Sequence, residues 1–181
     1  MSTQTTAGPA LSAVAAPRRH RVIASPLGEL TLVGEADALA GVYFAQHRGR
    51  PGPTALGPRD DTILDEAIAQ LGEYFAGVRT RFDLAVRADG FPFDLAVRAL
   101  LGQIPSGETR SYGQLARQLG DPSLAQEVGA ANARNPLCIV VPCHRVVGVD
   151  GRLAGYAGGL RRKRALLDHE RHVADGNGSL F

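Results

Sequence analysis

The sequence predicts an α+β fold: a small N-terminal antiparallel sheet with a helix, followed by a helical C-terminal domain of helix-turn-helix type. Three observations predict it. Between Arg21 and Phe44 short apolar runs alternate with turn signals, as in a strand meander. Two later stretches repeat apolar residues at helical spacing. A capping pattern at Ser111 is followed by an Asp121-Pro122 pair, and together these mark two short helices joined by a tight turn. At 181 residues the chain can hold one larger domain or two small ones with buried cores.

The first 17 residues, MSTQTTAGPALSAVAAP, are rich in Ala, Ser, Thr and Pro and are expected to be a disordered tail. No basic residue precedes their mild apolar part, as a secretory signal requires, so a cytoplasmic protein is expected. An N-terminal domain is placed over residues 18–90. Its meander, RVIASPLGELTLVGEADALAGVYF, turns at Pro26-Leu27-Gly28 and around Ala36-Asp37. His47 to Arg59, rich in Pro and Gly, reads as loop, and Ile63, Leu64, Ala67, Ile68, Leu71 and Phe75 then repeat at helical spacing until Gly77. Arg81 to Val86 reads as a further short strand with Phe82, Leu84 and Val86 on one face, ended by Ala88-Asp89-Gly90.

The C-terminal domain is placed over residues 91–171, with a flexible tail over 172–181. Phe93, Ala96, Val97, Leu100 and Leu101 line one face of a helix that stops before Ile104-Pro105-Ser106-Gly107. Ser111 with Gln114 forms a capping box for the next helix, which ends at Gly120. On the helix after it, Leu124, Val128 and Ala131 face inward, leaving Gln126, Ala130 and Arg134 on the opposite side beside Ala133. Small side chains let such a helix approach a nucleic-acid groove closely, although alanines also simply favour helix.

Composition excludes several classes. Hydrophobic residues at 44% and charged residues at 21% are ordinary for a globular protein, and no apolar run approaches the roughly 20 residues needed to span a bilayer. Net charge is +2. Residues 1–90 carry nine Arg/Lys against ten Asp/Glu, while residues 91–181 carry eleven against eight, so the C-terminal half is the one suited to a polyanion. The five His and two Cys show no four-ligand spacing for zinc and no glycine-rich phosphate loop is present, so neither metal nor cofactor is expected. Cys138 and Cys143 lie too close along the chain for a bridge to be expected, and both read as free thiols.

The informative segment runs Asn135-Pro136-Leu137-Cys138-Ile139-Val140-Val141-Pro142-Cys143-His144-Arg145-Val146-Val147-Gly148. It reads as an apolar strand that delivers a Cys-His pair to its end. A thiol is a weak nucleophile until it loses its proton, and a neighbouring imidazole can stabilise the thiolate. Adjacent side chains of a strand point to opposite faces, so His144 needs a bend or a bridging water to act on Cys143. From these two residues alone, an inert buried Cys beside a backbone-satisfied His is the plainer reading.

The wider pattern reverses that balance. NPxxxxxPCHRV, followed by Gly148-Val149-Asp150-Gly151-Arg152-Leu153-Ala154-Gly155-Tyr156-Ala157-Gly158-Gly159 and preceded by IPxGxTxSYGxLA at Ile104 to Ala116, closely resembles the O6-alkylguanine-DNA alkyltransferases. The match runs without a gap from about Phe93 to Glu170, while the N-terminal half resembles the family only in the order of its strands and helix. The resemblance implies an RNase H-like N-terminal domain and a winged helix-turn-helix-like C-terminal one. It implies direct-reversal DNA repair: the alkyl group of O6-alkylguanine, with O4-alkylthymine as a second lesion, passes to Cys143 after base flipping and consumes the protein. The partner implied is double-stranded DNA, entered from the minor groove by a monomer, with cooperativity on DNA left open.

Carried over by position, the resemblance makes Cys143 the nucleophile, His144 a general base through a water, Glu170 the group orienting His144, and Asn135 the support of the turn before the site. Tyr112 becomes the contact to the flipped base and its phosphate, with Ser111, Gln126, Ala130 and Arg134 on the DNA face. Val146, Tyr156, Ala157 and Lys163 line the base pocket. Arg145 is expected to brace the site through ion pairs, and Arg161-Arg162-Lys163-Arg164 to form a solvated start to the last helix, with Lys163 near the site loop. The chain departs from the family at Gln126, where an intercalating Arg is usual, and at Asp94 and Arg98, where Gln and an aromatic are usual. Gln lacks the charge and planar cation of Arg, so slower flipping or weaker DNA affinity is expected. Two rivals stand beside this reading: a non-transferring protein that recognises alkyl lesions, and a cysteine hydrolase, for which the helix-turn-helix and Tyr112 lack a purpose.

Overall fold

The computed structural model describes residues 17–87 and 89–181, so the tail expected over 1–17 lies, but for Pro17, outside the described residues. Three strands, β1 (Arg18–Ile23), β2 (Leu30–Glu35) and β3 (Ala38–Phe44), form an antiparallel sheet in the order β1-β2-β3. The chain reverses at the expected places, through Gly28 at φ 102° and Ala36 at φ 53°. Every residue of β2 is buried because both faces of the sheet are covered. Leu30, Leu32, Val42 and Phe44 join α2 (Asp65–Phe75) through Ala67, Leu71, Tyr74 and Phe75. Val33, Ala40 and Tyr43 meet Leu56 on the other face.

That second contact explains an element the sequence reading had assigned to loop. Pro53–Leu56 forms one helical turn, α1, whose Pro presets φ and whose Leu56 is buried against the sheet. Arg81 to Val86, expected to be a strand, is extended chain with a single parallel bridge, Val86 to Leu39. The reason lies in the edge of β3, which is shared: Leu39 pairs with residues 85 and 87, and Val42 already pairs with Pro136 and Cys138. The second pairing fastens the cysteine-bearing segment of the C-terminal half directly to the N-terminal sheet.

In the C-terminal half α3 (Pro92–Gly102) precedes a short strand β4 (Arg110–Ser111), then α4 (Tyr112–Gln118) and α5 (Ala125–Ala133). The Ser111 capping box is present, with Gln114 N–H donating to Ser111 Oγ at 3.2 Å and Ser111 N–H donating to Gln114 Oε1 at 2.7 Å. Pro122–Leu124 forms a 3-10 turn capped by Asp121 before α5 begins. A strand β5 (Val146–Val147) pairs in parallel with β4, and α6 (Leu160–Ala174) ends the regular structure.

Residues 137–145 are not the apolar strand expected. Cys138, Val141 and Cys143 are joined by tight turns and Cys143–Arg145 is a 3-10 turn. Leu137, Cys138 and Ile139 are all buried, so the segment is wrapped by protein on every side instead of alternating between core and solvent. Ile139 takes φ 72°, a strained conformation for a β-branched residue. Asn135 closes the loop from within, donating through Nδ2 to the Val141 carbonyl at 2.9 Å and accepting from Leu137 N–H at 3.2 Å.

The last residues also differ from the free tail expected over 172–181. Residues 172–174 belong to α6, and the chain then folds back onto α2: Ser179 Oγ donates to the Phe75 carbonyl at 2.6 Å, and the Phe181 ring lies 4.8 Å from the His169 ring and 5.7 Å from Phe75. The terminal aromatic supplies the apolar anchor that a polar tail lacks.

Candidate active site

Cys143 opens the 3-10 turn and is 2% exposed. Hydrogen bonding from the Cys138 thiol pulls its proton affinity below the ordinary value; burial works against this, and Asn135 and the charge of Lys163 assist it. The paired Cys138 thiol is pushed well up, first by that same bond and then by burial, so of the two sulfurs Cys143 is the one poised to ionise. Cys138 Sγ lies 3.5 Å from His47 Nδ1. Both cysteines are free thiols.

A 3-10 turn, and not a strand end, carries Cys143, His144 and Arg145. It places His144 and Arg145 on the side of α6, where Glu170 receives both. His144 Nε2 lies 2.7 Å from Glu170 Oε1, and Arg145 reaches the two carboxylate oxygens at 2.9 Å each. The Gly107 N–H donates to Oε2 at 3.2 Å and the Tyr74 hydroxyl to Oε1 at 2.8 Å. Burial alone would raise the Glu170 carboxyl, but His144 and Arg145 hold it far below the usual carboxylate range. Burial lowers the His144 imidazole, outweighing the pull of Glu170, so it rests neutral. With Glu170 accepting at Nε2, the proton sits there and Nδ1 is the basic nitrogen. That Nδ1 is buried and has no hydrogen-bond partner among the described residues.

Lys163, the chain's single lysine, is fully buried, in contrast to the solvated face expected of its run. Its ammonium donates to the carbonyls of Val146, Ala154 and Gly155 at 2.5, 2.6 and 3.0 Å. Burial brings its proton affinity down to about 8 while the Cys143 charge works the other way. Arg162 lies over the Phe44 ring at 4.7 Å and donates to Leu27 and Gly158 carbonyls; Arg161 and Arg164 are exposed. Lys163 therefore ties the 154–155 segment to the β5 backbone. Tyr112 OH donates to the same Ala154 carbonyl at 3.0 Å. Tyr156 lies between Phe44 and His144, with both ring centroids 6.5 Å away, and Ala157 accepts from Arg48 N–H at 2.8 Å. Gly158 must be glycine, since a Cβ would stand 2.6 Å from the Phe44 ring.

The structure thus gathers Cys143, His144, Glu170, Asn135, Val146, Tyr156, Lys163 and Tyr112 at one place. Gln126 and Ala130 lie exposed on α5, and Ser111 is occupied with its capping role. Arg134 is engaged elsewhere: it grips Asp94 of α3 with two hydrogen bonds of 2.6 and 3.0 Å. Asp94, which departs from the family, thereby pins the end of α5. Arg98, the other departure on α3, reaches the Asp89 carbonyl at 2.9 Å. Three participants escaped the sequence reading. Tyr74 sits at helical spacing beside Leu71 and Phe75, and its hydroxyl on an apolar face was the available signal. Asn132 donates to the Cys143 carbonyl at 3.3 Å, and a polar residue next to the inward-facing Ala131 was the corresponding sign. Cys138 was read only as a free thiol.

Fold and site together define a two-domain protein in which a helix-turn-helix stands beside a buried, acidified cysteine backed by a His-Glu pair. Residues 19–88 match the model of the ribonuclease-like domain of 6-O-methylguanine DNA methyltransferase, and residues 92–172 that of its DNA binding domain. A methylated-DNA--protein-cysteine methyltransferase of Mycobacterium bovis is 44% identical over 162 residues, covering 90% of this chain and 98% of its own length. One from Methanosarcina acetivorans is 39% identical over 83% of this chain and 97% of its own. The crystal structure of Mycobacterium tuberculosis OGT in complex with DNA superimposes with a TM-score of 0.80 at 43% identity, covering 86% of this chain and 94% of that one. The chain belongs to the 6-O-methylguanine DNA methyltransferase family.

No helix among the described residues is long and apolar enough to cross a membrane.

Proposed function

We propose that this protein reverses O6-alkylation of guanine in DNA by accepting the alkyl group on Cys143, once per molecule. The observation that carries the reading is the convergence of the acidified Cys143 thiol, the neutral His144 and the ionised Glu170 beside a helix-turn-helix. In the step itself the Cys143 thiol proton passes to His144 Nδ1 through a bridging water, and Glu170 stabilises the resulting imidazolium. The thiolate sulfur forms a bond to the alkyl carbon while the bond from that carbon to guanine O6 breaks. The electron pair stays on the purine, which takes up one proton to become guanine, and Cys143 is left as a thioether. Donors at the departing oxygen make it a better leaving group; Tyr112, kept protonated by its burial and by the neighbouring Cys143 charge, is the donor at the pocket. O4-alkylthymine presents the same chemistry and is a second substrate of this reading.

At 2% exposure the Cys143 sulfur cannot meet a base inside a stacked duplex, so the nucleotide rotates out, at a cost of a few kcal/mol. Duplex DNA lies against α5 through its minor groove, with the small Ala130 and Ala133 permitting close approach and Gln126 filling the vacated stack. Entry of the base requires the 154–157 segment, held by Tyr112 and Lys163, to give way. The protein acts as a monomer in the cytoplasm.

The test mixes the protein with a duplex carrying one O6-methylguanine and locates added mass by peptide mass spectrometry. One methyl on Cys143 per molecule, lost in Cys143→Ser, is the expected result. Continued turnover would instead identify a hydrolase, and tight binding without modification a lesion-recognition protein.

A further inference from the structure

Of the three donors to Glu170 Oε1, two come from the 3-10 turn that bears the nucleophile and the third comes from the other half of the molecule. The Tyr74 hydroxyl, on α2, donates at 2.8 Å across a sequence separation of 96 residues. Tyr74 is 1% exposed, its ring set among Phe75, Phe82 and His169 at centroid distances of 5.4 to 5.6 Å. It is gripped at both ends by α6, since its carbonyl oxygen also lies 2.8 Å from His169 Nε2. His169 is in turn held by the chain terminus, its Nδ1 accepting from Leu180 N–H at 3.3 Å. A hydroxyl so fixed cannot swing away from the carboxylate.

We propose that Tyr74 is a positioning residue of the thiol-activating network: its hydroxyl, supplied by the N-terminal domain, orients the Glu170 carboxylate and limits how strongly that oxygen pulls on His144. The inference rests on the transfer reading above, because that network serves transfer. The charge on Oε1 is divided among Tyr74, His144 and Arg145, while Oε2 is satisfied by Arg145 and the Gly107 N–H. Removing one donor leaves more of the charge to the others, and His144 becomes more basic. The groups facing His144 are Glu170, Arg145, Lys163 and the Tyr156 ring; those facing Cys143 are Cys138, Asn135, Lys163, Tyr112 and Tyr156. Of these, Glu170 alone accepts a hydrogen bond from the hydroxyl that the substitution removes, so the change reaches His144 through that carboxylate. The N-terminal domain thus contributes an atom to the reacting machinery's support, beyond its role as a platform.

The experiment is Tyr74→Phe in the full chain, which keeps the ring and its packing. Nitrogen NMR of the His144 ring in the DNA-free protein should show its titration moved up by about half a pH unit, the effect of one donor on a charged acceptor. Single-turnover transfer from a duplex with one O6-methylguanine should show its acid limb moved in the same direction, and the loss of the donor that orients Glu170 should make the plateau rate roughly severalfold lower, with duplex Kd unchanged. In a Glu170→Gln background the same substitution should cause no further loss. Site-specific 3-fluorotyrosine at 74, a stronger donor of the same shape, should move the His144 titration down, and it serves also if the Phe variant does not fold. An unmoved His144 titration, or an equal loss with and without Glu170, overturns the inference. Absence of transfer in the unmodified protein would defeat the proposed function instead, leaving the NMR titration to decide the role of Tyr74.

Discussion

Asn132 Nδ2 donates to the carbonyl oxygen of Cys143 at 3.3 Å, so the helix whose outer face carries Gln126 and Ala130 is fastened from its inner face to the backbone of the nucleophile. Any displacement of α5 would therefore reach the Cys143 backbone. Asn132→Ala should cost about 1 kcal/mol of stability, the worth of one buried hydrogen bond. Its larger effect should fall on the single-turnover rate and not on Kd for a lesion duplex. A variant whose Kd worsens while its rate on bound DNA is unchanged would show that the link has no part in coupling.

Glu170 should be the least replaceable carboxylate. Glu170→Gln leaves the buried Arg145 guanidinium without its counter-charge, a loss of about 3 to 5 kcal/mol in comparable sites. The sign of its pH dependence follows from a folded-state carboxyl held below its unfolded value. Its stabilisation is present in full above the ordinary carboxylate pKa of about 4.3 and is lost as pH falls below it toward the folded value. Asp94, lowered by Arg134, acts in the same direction. Melting temperature followed from pH 7 toward pH 3 should drop steeply in the native protein and less steeply in Glu170→Gln; parallel slopes would refute this assignment.

Lys163 should set part of the acidity of the reactive thiol. Its charge favours the Cys143 thiolate, and with a pKa of about 8 that support fades as the pH rises through this range. Lys163→Met should raise the Cys143 titration, read from the pH dependence of thiolate absorbance in a Cys138→Ser background, and slow transfer at neutral pH. Superimposable titrations with and without the lysine would dismiss it as a loop anchor only.

Gln126→Arg tests the departure on α5. The substituted residue is exposed, so the change should leave the fold intact while placing a planar cation on the face proposed to meet DNA. Transfer from duplex DNA should accelerate severalfold, and transfer from a single-stranded oligonucleotide, where no stack is opened, should change little. A duplex rate that is unchanged or lower removes Gln126 from base flipping.

Truncation after Asn177 should destabilise the protein, although the sequence reads as a flexible tail over 172–181. It removes the Phe181 contacts to His169 and Phe75 and the Leu180 and Ser179 hydrogen bonds. Aromatic pairs of this kind contribute about 0.5 to 1.5 kcal/mol beyond burial, enough to lower the melting temperature by several degrees. An unaltered melting curve would mean that the terminal contacts contribute nothing.

Much of this molecule was readable from local chemistry. The strand meander, the α2 stripe, the Ser111 capping box and the inward set of α5 each depend on residues a few positions apart, whose spacing fixes which side of an element they occupy; on α3 Val97 and Leu101 are buried as expected, but Ala96 is exposed and Asp94 and Arg98 share the buried side. The motif around Cys143 likewise carried His144, Asn135 and Glu170 by position. What the residues could not disclose was any property that depends on two distant segments competing for one surface. Pro53–Leu56 became a helix because the sheet had a second face to cover, and 81–86 failed to become a strand because β3 has one free edge and Leu137 takes half of it.

The same division holds at the site. Sequence alone determined that this chain has a thiol beside an imidazole in a motif specific to one family, and that the second helix of its pair carries Gln126 where the family usually has a cation. Only the tertiary structure decided that His144 and Arg145 meet a common carboxylate from a 3-10 turn, that Cys138 and Lys163 share the task of acidifying the sulfur, and that Tyr74 reaches the network from the other domain. Proton affinity is set by what surrounds a group in three dimensions, and burial, charge and hydrogen bonding are brought there by chain segments that the sequence places far apart.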